Sequence, residues 1–392
     1  MTGLTDLFTE IRADLIDKYN INLQGKAPLV FLFNPSHEMA LADNSDNYTP
    51  TAVVRKMQTD LALLPAVFCE DQDLIAAYGE KAVFNKDGHK MDVGLENAIP
   101  FPWGWNRAAR SFFLKLGVST NHMPDDKSLE LVRYFACRKF HALFIQMFLN
   151  QAKISGRDDL FVGDKMEFCE NLSCLRDEQM PMIFKLPWSS SGRGIFVADK
   201  INDNAMGKLR GFIKSQGGFL KDCYYEKVLD FAMEFYVFSN GKVSFVGFSL
   251  FQADTKGKYG GNLVDSQVAI EQLIASHLKS ELIIPFVKNE CRNLLERTMG
   301  GKYTGFVGVD MMVVDTPNGR RCHPCVEINP RMNMGILAMA AYLRPFFFCE
   351  GGGGGNVVGE RRRSSTRTPS EVIRERGFHT CFNDRFISIK YS

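Results

Sequence analysis

The chain of 392 residues has no uninterrupted apolar run of about 20 residues, the length that a helix needs to cross a bilayer. The sequence therefore predicts no membrane-spanning segment. Acidic side chains occur throughout residues 1–21, in an amphipathic pattern that argues against a secretory signal peptide. The formal net charge is only +2, and basic residues are in excess only in residues 346–392, so nothing indicates a surface for nucleic acid.

The sequence also lacks the cysteine spacing of a disulfide framework, although it contains 10 cysteines. We therefore expect reduced thiols and a cytoplasmic protein, because disulfides are rare in that compartment. Cys322 and Cys325 form a Cys-x-x-Cys unit, but a structural zinc site needs two more ligands and no second pair is evident. Two thiols in a hairpin are the simpler interpretation.

No Gly-x-Gly-x-x-Gly motif follows the first apolar run, residues 28–33, which excludes the dinucleotide-binding fingerprint. The run predicts a buried parallel strand, and residues 1–125 predict a small α/β domain of βαβ units. His37 and Glu38 follow that strand, where ligands bind in open α/β sheets, so they are weak substrate-site candidates. A surface helix start is the alternative. The Pro/Gly loop 100–106 holds two tryptophans that either line a pocket or pack one domain onto another.

Cationic residues precede a Ser/Gly loop in the middle of the chain. A long helix predicted over residues 128–151 carries Arg138 and Lys139, for which a solvated helix face is the alternative. Lys185 lies in the apolar run 182–186, which predicts a strand. A lysine among apolar neighbours needs an anionic partner, so this position points to a binding site.

A short strand also follows the Ser/Gly loop of residues 189–194, so the pattern is strand, loop, strand. This order predicts a hairpin flap, because the glycines of a Walker loop open a helix. The backbone N–H groups and hydroxyls of such a loop can lie over phosphates. A Ser/Gly turn is common, so the loop alone does not identify a nucleotide site.

Residues 305–331 predict a β-hairpin that brings two acidic side chains together. Its turn is Pro317-Asn318-Gly319, in which Asn-Gly supplies the positive φ of a tight hairpin. Glu327 and Asn329 alternate on the return strand and share a face, and pairing across the turn places Asp310 on that face as well. Two carboxylates and an amide oxygen suit a hard cation such as Mg²⁺. Two surface acids on an amphipathic hairpin are the alternative.

The last stretch, residues 346–392, differs in composition from the rest of the chain. It contains five consecutive glycines and is rich in arginine, and its hydrophobic periodicity fades. We predict a flexible or poorly folding tail, and an out-of-frame end of the gene would have the same appearance.

In their order along the chain, these features resemble the ATP-grasp superfamily. The shared features are a helix with a cation, a strand lysine before a Ser/Gly flap, the run Glu-Lys-Val-Leu at 226–229 and the carboxylate hairpin. The most specific piece is Val-Glu-Ile-Asn-Pro-Arg at 326–331, which is similar to the magnesium-binding strand of that family. The resemblance covers residues 128–345 and implies an α/β (α+β) fold. The parts that it implies are a pre-ATP-grasp α/β domain over residues 1–125 and two ATP-grasp lobes with antiparallel sheets over residues 126–222 and 223–345.

The resemblance also implies roles for individual residues. Asp310, Glu327 and Asn329 would hold Mg²⁺, or Mn²⁺ in its place. Arg331 would meet the transferred phosphate or the substrate carboxylate, and Lys185 would contact the α- and β-phosphates of ATP. The other residues placed around the nucleotide are Arg138 or Lys139 as a phosphate-side cation, Ser190, Ser191 and Gly192 in the flap loop, Glu226, Lys227, Val228 and Leu229 in an adenine hinge, and Glu234, or Asp230 in its place, at the ribose.

The reaction implied by the resemblance is that of a carboxylate–amine ligase. A carboxylate attacks the γ-phosphate to give an acyl phosphate and ADP, and an amine then displaces phosphate to form an amide. The expected partners are a small-molecule or peptide carboxylate and an amine, without nucleic acid or membrane, and a homodimer is the default assembly. A non-catalytic ATP-binding protein and an ATP-grasp kinase acting on a small molecule are the alternatives.

Overall fold

The structure is a computed structural model that describes residues 4–21, 27–175, 181–190, 192–253, 259–278, 283–344, 378–383 and 385–391. The statements below concern these residues. Ser191, predicted to lie in the flap loop, is outside them.

The helices and strands have the following bounds. The α-helices are α1 (Leu4–Lys18), α2 (His37–Asp43), α3 (Ala52–Asp60), α4 (Arg107–Leu116), α5 (Asp126–Phe135), α6 (Arg138–Ile154), α7 (Asp203–Gln216), α8 (Gln267–Leu278), α9 (Ile283–Met299) and α10 (Met334–Leu343). The strands are β1 (Leu29–Leu32), β2 (Leu74–Ala76), β3 (Val83–Phe84), β4 (Lys90–Met91), β5 (Ile99–Pro102), β6 (Glu167–Cys169), β7 (Met182–Lys185), β8 (Ile195–Ala198), β9 (Phe219–Cys223), β10 (Glu226–Val237), β11 (Val243–Ala253), β12 (Tyr259–Leu263), β13 (Gly305–Thr316), β14 (Gly319–Asn329), β15 (Phe378–Asn383) and β16 (Phe386–Tyr391). Within the described ranges, no helix is both long and apolar enough to cross a membrane.

The N-terminal sheet contains β1 to β5 in the order β4-β3-β2-β1-β5. β1 pairs in parallel with β2 and β5, whereas β3 and β4 are added antiparallel at one edge. Every residue of β1 is buried, as its continuous apolar run predicts. The α/β character predicted for this part of the chain is confirmed, with an antiparallel edge that the sequence did not indicate.

The flap sheet has the order β6-β9-β7-β8 and is antiparallel throughout. β7 and β8 form the hairpin predicted on either side of the Ser/Gly loop. Phe184 and Phe219 point to one face and are buried with Leu209 of α7. Because side chains alternate along a strand, Lys185 on β7 and Asp222 on β9 point to the opposite face of the flap sheet.

The large sheet has the order β14-β13-β10-β11-β12-β16-β15 and is also antiparallel. The predicted hairpin turn is confirmed, since β13 and β14 flank it and Gly319 has a φ of +99°. Phe231, Met233 and Val309 on one face are buried in a core shared with α8 and α9. The mixed α/β fold with antiparallel sheets is therefore confirmed, while the boundaries between the predicted domains stay predictions.

The single helix predicted over residues 128–151 is wrong, because the chain breaks into α5 and α6 at Ala136 and Cys137. Cys137 has an extended backbone, with a ψ of 134°. The backbone N–H of Arg138 then donates to the carbonyl of Pro187 at 3.1 Å. The break thus places Arg138 at the start of a new helix, directly beside the flap loop.

Part of the last segment is folded, which limits the predicted flexible tail. β15 and β16 form a hairpin, and β16 pairs with β12 through Asn262 and Ile387. Ile387 is fully buried in a core that contains α10 and the N-terminal sheet. Residues 345–377 lie outside the described residues.

Cys169 and Cys174 form a disulfide, which corrects the expectation of reduced thiols at these positions. The 3₁₀ turn Leu172–Cys174 folds the chain back so that the two sulfur atoms meet, a proximity that the sequence separation did not reveal. Cys322 and Cys325 are free and buried.

A buried ion pair fastens α1 to the N-terminal sheet. Arg12 donates to the two carboxylate oxygens of Asp73 at 2.8 and 2.9 Å, and Asp73 also accepts the backbone N–H of Leu29 at 2.9 Å. The side chains of Arg12 and Asp73 are only 4% and 1% exposed. Water cannot replace either partner, so the pair is essential to this part of the fold.

Replacing Asp73 by alanine should lower the free energy of unfolding by about 3 kcal/mol or more, because the Arg12 charge loses its main buried partner. Urea denaturation followed by circular dichroism measures this change. Asp71→Ala is the matched control, since Asp71 is exposed and pairs with Lys86 on the surface. Equal effects of the two substitutions would contradict the structural importance of the buried pair.

Candidate functional site

The pairing of β10, β13 and β14 places several acidic residues on one face of the large sheet. Asp310 lies opposite Glu327 on β14 and opposite Ala232 on β10, and directly opposite residues share a face. A bulge in β14 keeps His323, opposite Met312, on that face as well. We call this surface the acidic face; its residues are Asp230, Glu234, Asp310, His323, Glu327 and Asn329.

The flap sheet turns a lysine toward the acidic face. On β7 and β9, Lys185 lies opposite Leu220 and Ile183 lies opposite Asp222, so Lys185 and Asp222 share a face. That face meets β14, because Asp222 Oδ2 is 2.9 Å from His323 Nε2. The two sheets therefore enclose a cleft with acids on one wall and Lys185 on the other.

Arg138 joins the two walls of the cleft. Its side chain is 1% exposed, and Nη2 donates to Glu327 Oε1 at 2.7 Å. Nη1 donates to the Leu186 carbonyl at 2.5 Å and to Ser189 Oγ at 2.7 Å, both in the flap loop. One guanidinium thus connects α6, the flap loop and β14.

The other residues predicted at the phosphates occupy different places. Lys139 is exposed and pairs with Glu170 at 2.5 Å, so the structure brings Arg138 and not Lys139 into the cleft. Ser190 and Gly192 lie in the flap loop, where the backbone N–H of Arg193 donates to the Ser190 carbonyl at 3.1 Å. This turn positions the loop beside the cleft.

Burial and charge act differently on the two carboxylates of the hairpin. Burial, followed by the negative charge of Glu327, raises the pKa of Asp310 well above its usual range. Burial opposes ionisation of Glu327 too, but the positive charges of Arg138 and Lys185 outweigh it and lower the pKa of Glu327. The pKa values of the two facing carboxyl groups are therefore shifted in opposite directions.

Lys185 has the anionic surroundings that its position in an apolar strand predicts. The side chain is 6% exposed. Burial and then the charge of Arg138 lower the pKa of Lys185, while Glu327 and Asp222 oppose that shift. The ammonium group is thus balanced between desolvation and two nearby acids.

Arg331 leaves the end of β14 and meets the N-terminal sheet. Its Nε donates to Glu38, and its Nη2 donates to Asn329 Oδ1 at 3.2 Å. Asn329 Nδ2 in turn donates to Asp310 Oδ2 at 3.0 Å. Burial would lower the pKa of Arg331, but the charge of Glu38 raises it. Because the amide oxygen of Asn329 faces Arg331, its role as a metal ligand stays a prediction.

His37 and the loop around Trp103 lie next to Glu38, close to the residues that follow β14. The carbonyl of Trp103 accepts the backbone N–H of Met332 at 2.8 Å, which fixes the exit of β14. Asn106 Nδ2 lies 3.4 Å from His37 Nδ1, and burial lowers the pKa of His37 to about 4. The tryptophan loop therefore contacts the segment that follows β14, and the buried His37 packs beside this loop.

The predicted adenine hinge lies where the flap sheet passes into the large sheet. Residues 224–225 join β9 to β10, and Glu226, Lys227, Val228 and Leu229 begin β10. The register with β13 skips Val228, which leaves a bulge in the pairing. Lys227 lies opposite Val314, which is four residues along β13 from Asp310, roughly 13 Å away. The hinge is thus separated from the acid pair along a single strand.

Glu234, the predicted ribose acceptor, lies on the acidic face, and side chains of the protein bind both of its carboxylate oxygens. It is 1% exposed, and its oxygens accept from Ser249 Oγ at 2.8 Å and Asn333 Nδ2 at 2.6 Å. Asn333 also caps α10 by accepting the backbone N–H of Gly335 at 2.9 Å. Asp230, the alternative, lies nearer to the hinge and pairs with Lys227 at 2.5 Å.

Three residues of the cleft were missed from the sequence. His141 is fully buried one turn after Arg138, and the backbone N–H of Ile328 approaches its Nδ1 at 3.5 Å. Its spacing of three from Arg138 could have indicated a shared helix face. Asp222 and His323 are 101 residues apart, so no local pattern could have paired them.

The donor set of the hairpin fits Mg²⁺ in chemistry. Asp310 and Glu327 face each other across adjacent strands, and the charge of Glu327 opposes ionisation of Asp310. A divalent cation between them would relieve that repulsion, and carboxylate oxygens are its preferred ligands. Among the described residues, no group of three or more His, Cys, Asp or Glu side chains could hold a metal ion.

No model of a known protein family and no curated protein matches the chain. Among solved structures, it is similar to N5-carboxyaminoimidazole synthetase from Staphylococcus aureus in complex with ADP, with 12% identity, coverage of 80% of this chain and 77% of that chain, and a TM-score of 0.41. Biotin carboxylase from Campylobacter jejuni shows 11% identity, coverage of 62% and 54%, and a TM-score of 0.38. L-amino acid ligase from Bacillus licheniformis shows 12% identity, coverage of 56% and 45%, and a TM-score of 0.35.

These solved structures are ATP-grasp proteins, the superfamily that the sequence motifs resemble. The chain spans about half the length of the biotin carboxylase and L-amino acid ligase chains. Because the identities are low and the TM-scores lie below 0.5, we base the function on this chain's own residues.

Burial raises the pKa of Glu234 to about 7 despite its donors Asn333 and Ser249. Between an ordinary carboxyl pKa of about 4.3 and this value, the folded chain binds a proton that the unfolded chain does not, so stability falls as pH rises. Glu234→Gln removes that titration. We expect its free energy of unfolding relative to the wild type to rise by about 3 kcal/mol across this window and then level off. Urea denaturation over a pH series measures it, and a pH-independent difference would contradict the assignment.

Proposed function

We propose that this chain is an ATP-grasp enzyme that uses ATP and Mg²⁺ to activate a carboxylate as an acyl phosphate and joins it to an amine. The observation that carries the proposal is the convergence on Glu327 of the buried Arg138, the buried Lys185 and the second carboxylate, Asp310. Acids that suit a hard cation thus lie opposite cations that suit phosphates. Arg331 lies at the end of the same cleft, where its guanidinium would bind a substrate carboxylate.

The nucleotide would lie between the acidic face and the flap sheet. The bulge at Val228 leaves backbone groups out of the ladder with β13, which is what an adenine edge needs for hydrogen bonding. Asp230 is the nearest acid for the ribose. Lys185 and Arg138 would offset the negative charge of the phosphates, with the flap loop above them.

Phosphoryl transfer depends on positioning and charge neutralisation, and this chain supplies both. Asp310 and Glu327 would hold Mg²⁺, which supplies neutralisation of phosphate charge when bound. Arg138 holds Glu327 through Oε1 and the flap loop through Ser189, so it keeps both walls at a fixed separation. No residue of the chain is required as a covalent nucleophile.

The acyl substrate would bind where the N-terminal sheet meets β14. Arg331 is held there by Glu38, and a guanidinium binds a carboxylate or a phosphoryl group through paired hydrogen bonds. A carboxylate at this point lies next to Asn329, which connects Arg331 to Asp310. A substrate bound there would have its carboxylate beside the proposed metal site.

The test is ADP release by the purified chain with Mg²⁺ over a panel of amino acids, peptides and other carboxylates, each with and without an amine. We expect turnover that requires both an acid and an amine and yields ADP and an amide. Turnover with a hydroxyl acceptor and no amine would indicate a kinase instead. ATP binding without turnover on any pair would indicate a non-catalytic ATP-binding protein.

Glu327→Gln should lower kcat/KM for ADP release by about 10²-fold or more, because the proposed metal site loses the carboxylate that remains charged. Steady-state kinetics at saturating Mg²⁺ measures the change. Asp315→Asn is the control, since Asp315 is an exposed acid at the far end of the same hairpin. Full activity in the Glu327 variant would remove the metal assignment.

Arg138→Met should weaken ATP binding by about 10- to 100-fold, the equivalent of losing a charge-assisted hydrogen bond of about 1.5–3 kcal/mol. Lys139→Met removes the neighbouring cation from the surface and should leave affinity unchanged. Isothermal titration calorimetry with a non-hydrolysable ATP analogue separates the two. Equal losses would mean that the helix start, and not the buried arginine, decides binding.

A further inference from the structure

Behind Lys185 lies a buried aspartate–histidine pair that the proposed reaction does not use directly. Asp222 Oδ2 and His323 Nε2 are 2.9 Å apart, and the side chains are 4% and 0% exposed. Asp222 belongs to the flap sheet and His323 to the large sheet. The pair therefore connects the wall that carries Lys185 to the strand that carries Glu327.

Asp222 stands beside Lys185 on the inner face of the flap sheet. Lys185 lies opposite Leu220, two residues before Asp222 on β9, so the two charged residues are diagonal neighbours. Such Cβ atoms are about 7–8 Å apart, within reach of a lysine side chain. The titratable and charged groups that face Lys185 are Arg138 and His141 on α6, Asp222 on β9, Asp230 on β10, and Cys325 and Glu327 on β14.

Asp222 differs from the other two acids, Glu327 and Asp230, in its hydrogen-bond partners. Glu327 is bonded to Arg138 and Asp230 to Lys227, so each of those acids already has a cationic partner. The described contacts of the Asp222 side chain are the backbone N–H of Cys223 at 2.8 Å and His323. Asp222 therefore acts on Lys185 together with Glu327, and its described contacts include no lysine or arginine.

His323 fixes the carboxylate in this position. Its Nδ1 is buried without a partner among the described residues, so a ring with its proton on Nε2 leaves no N–H group unpaired and donates to Asp222. Tyr225 packs edge-on against the ring at 5.6 Å between centroids. A Cβ at Gly163 would come within 2.9 Å of Nε2, so glycine at this position allows the close approach.

We propose that Asp222, oriented by His323, is a positioning residue that keeps Lys185 charged and directed into the cleft. The physical reason is that burial disfavours an ammonium group, and a fixed carboxylate on the same sheet face offsets that cost. The inference rests on the proposed function only in naming phosphate as the ligand of Lys185. The relation between Asp222 and Lys185 is a property of the free protein.

The test is titration of the ¹³Cε resonance of Lys185 in the free protein, assigned by its loss in Lys185→Arg. In Asp222→Asn we expect the midpoint to fall by about one pH unit or more, since removing an anion favours the neutral amine. His323→Phe should shift it in the same direction, and His323→Gln, which keeps a donor, should restore it. Glu167→Gln is the matched control, because Glu167 pairs with Lys221 on the other face of the flap sheet.

Binding of a non-hydrolysable ATP analogue over the same pH range completes the test. Affinity of Asp222→Asn should decline at a lower pH than that of the wild type, by the shift seen in the titration. An unchanged Lys185 midpoint would overturn the inference, even if the variant bound ATP poorly. If Asp222→Asn shifted the Lys185 midpoint but the wild-type protein did not bind ATP, the inference would be supported and the proposed function rejected.

Discussion

The buried contact between Arg138 and Glu327 is the interaction on which the cleft depends. An arginine at 1% exposure cannot exchange its partners for water, so its donors must be met inside the protein. Glu327, Ser189 and the Leu186 carbonyl accept from its two terminal nitrogens, and all three lie outside α6. Separating the two walls would leave a buried charge without compensation.

The remaining geometry follows from how three sheets meet at β14. The flap sheet contacts it through Asp222 and His323, and α2, which follows the first strand of the N-terminal sheet, contacts its exit through Glu38 and Arg331. Each contact is a buried or half-buried pair of polar groups from segments distant in sequence. The polar contacts therefore specify one arrangement of the sheets, whereas the apolar cores alone would tolerate small shifts between them.

Local signals were sufficient where the chemistry is local. The hairpin 305–331 could be predicted because Asn-Gly sets the turn. The register of the turn alone would place Asp310 opposite Cys325, and the bulge in β14 brings Glu327 to that position instead. Lys185 was identified because a lysine in an apolar strand must find an anion. Arg138 and Lys139 could not be separated, since neighbouring helix positions differ by about 100° and only packing decides which one is buried. Glu234 matched a motif by spacing, but the cap of α10 encloses it.

The sequence by itself determined the mixed fold, the strands on either side of the flap, the acid pair and the order of parts that resembles ATP-grasp proteins. These depend on periodicity, turn residues and motif order, which act within a few tens of residues. Only the tertiary structure decided that Arg138 binds Glu327, that Glu38 holds Arg331, that Asp222 and His323 meet, and that residues 378–391 extend the large sheet. The physical reason is that buried charges choose partners by proximity in space, which no local pattern records.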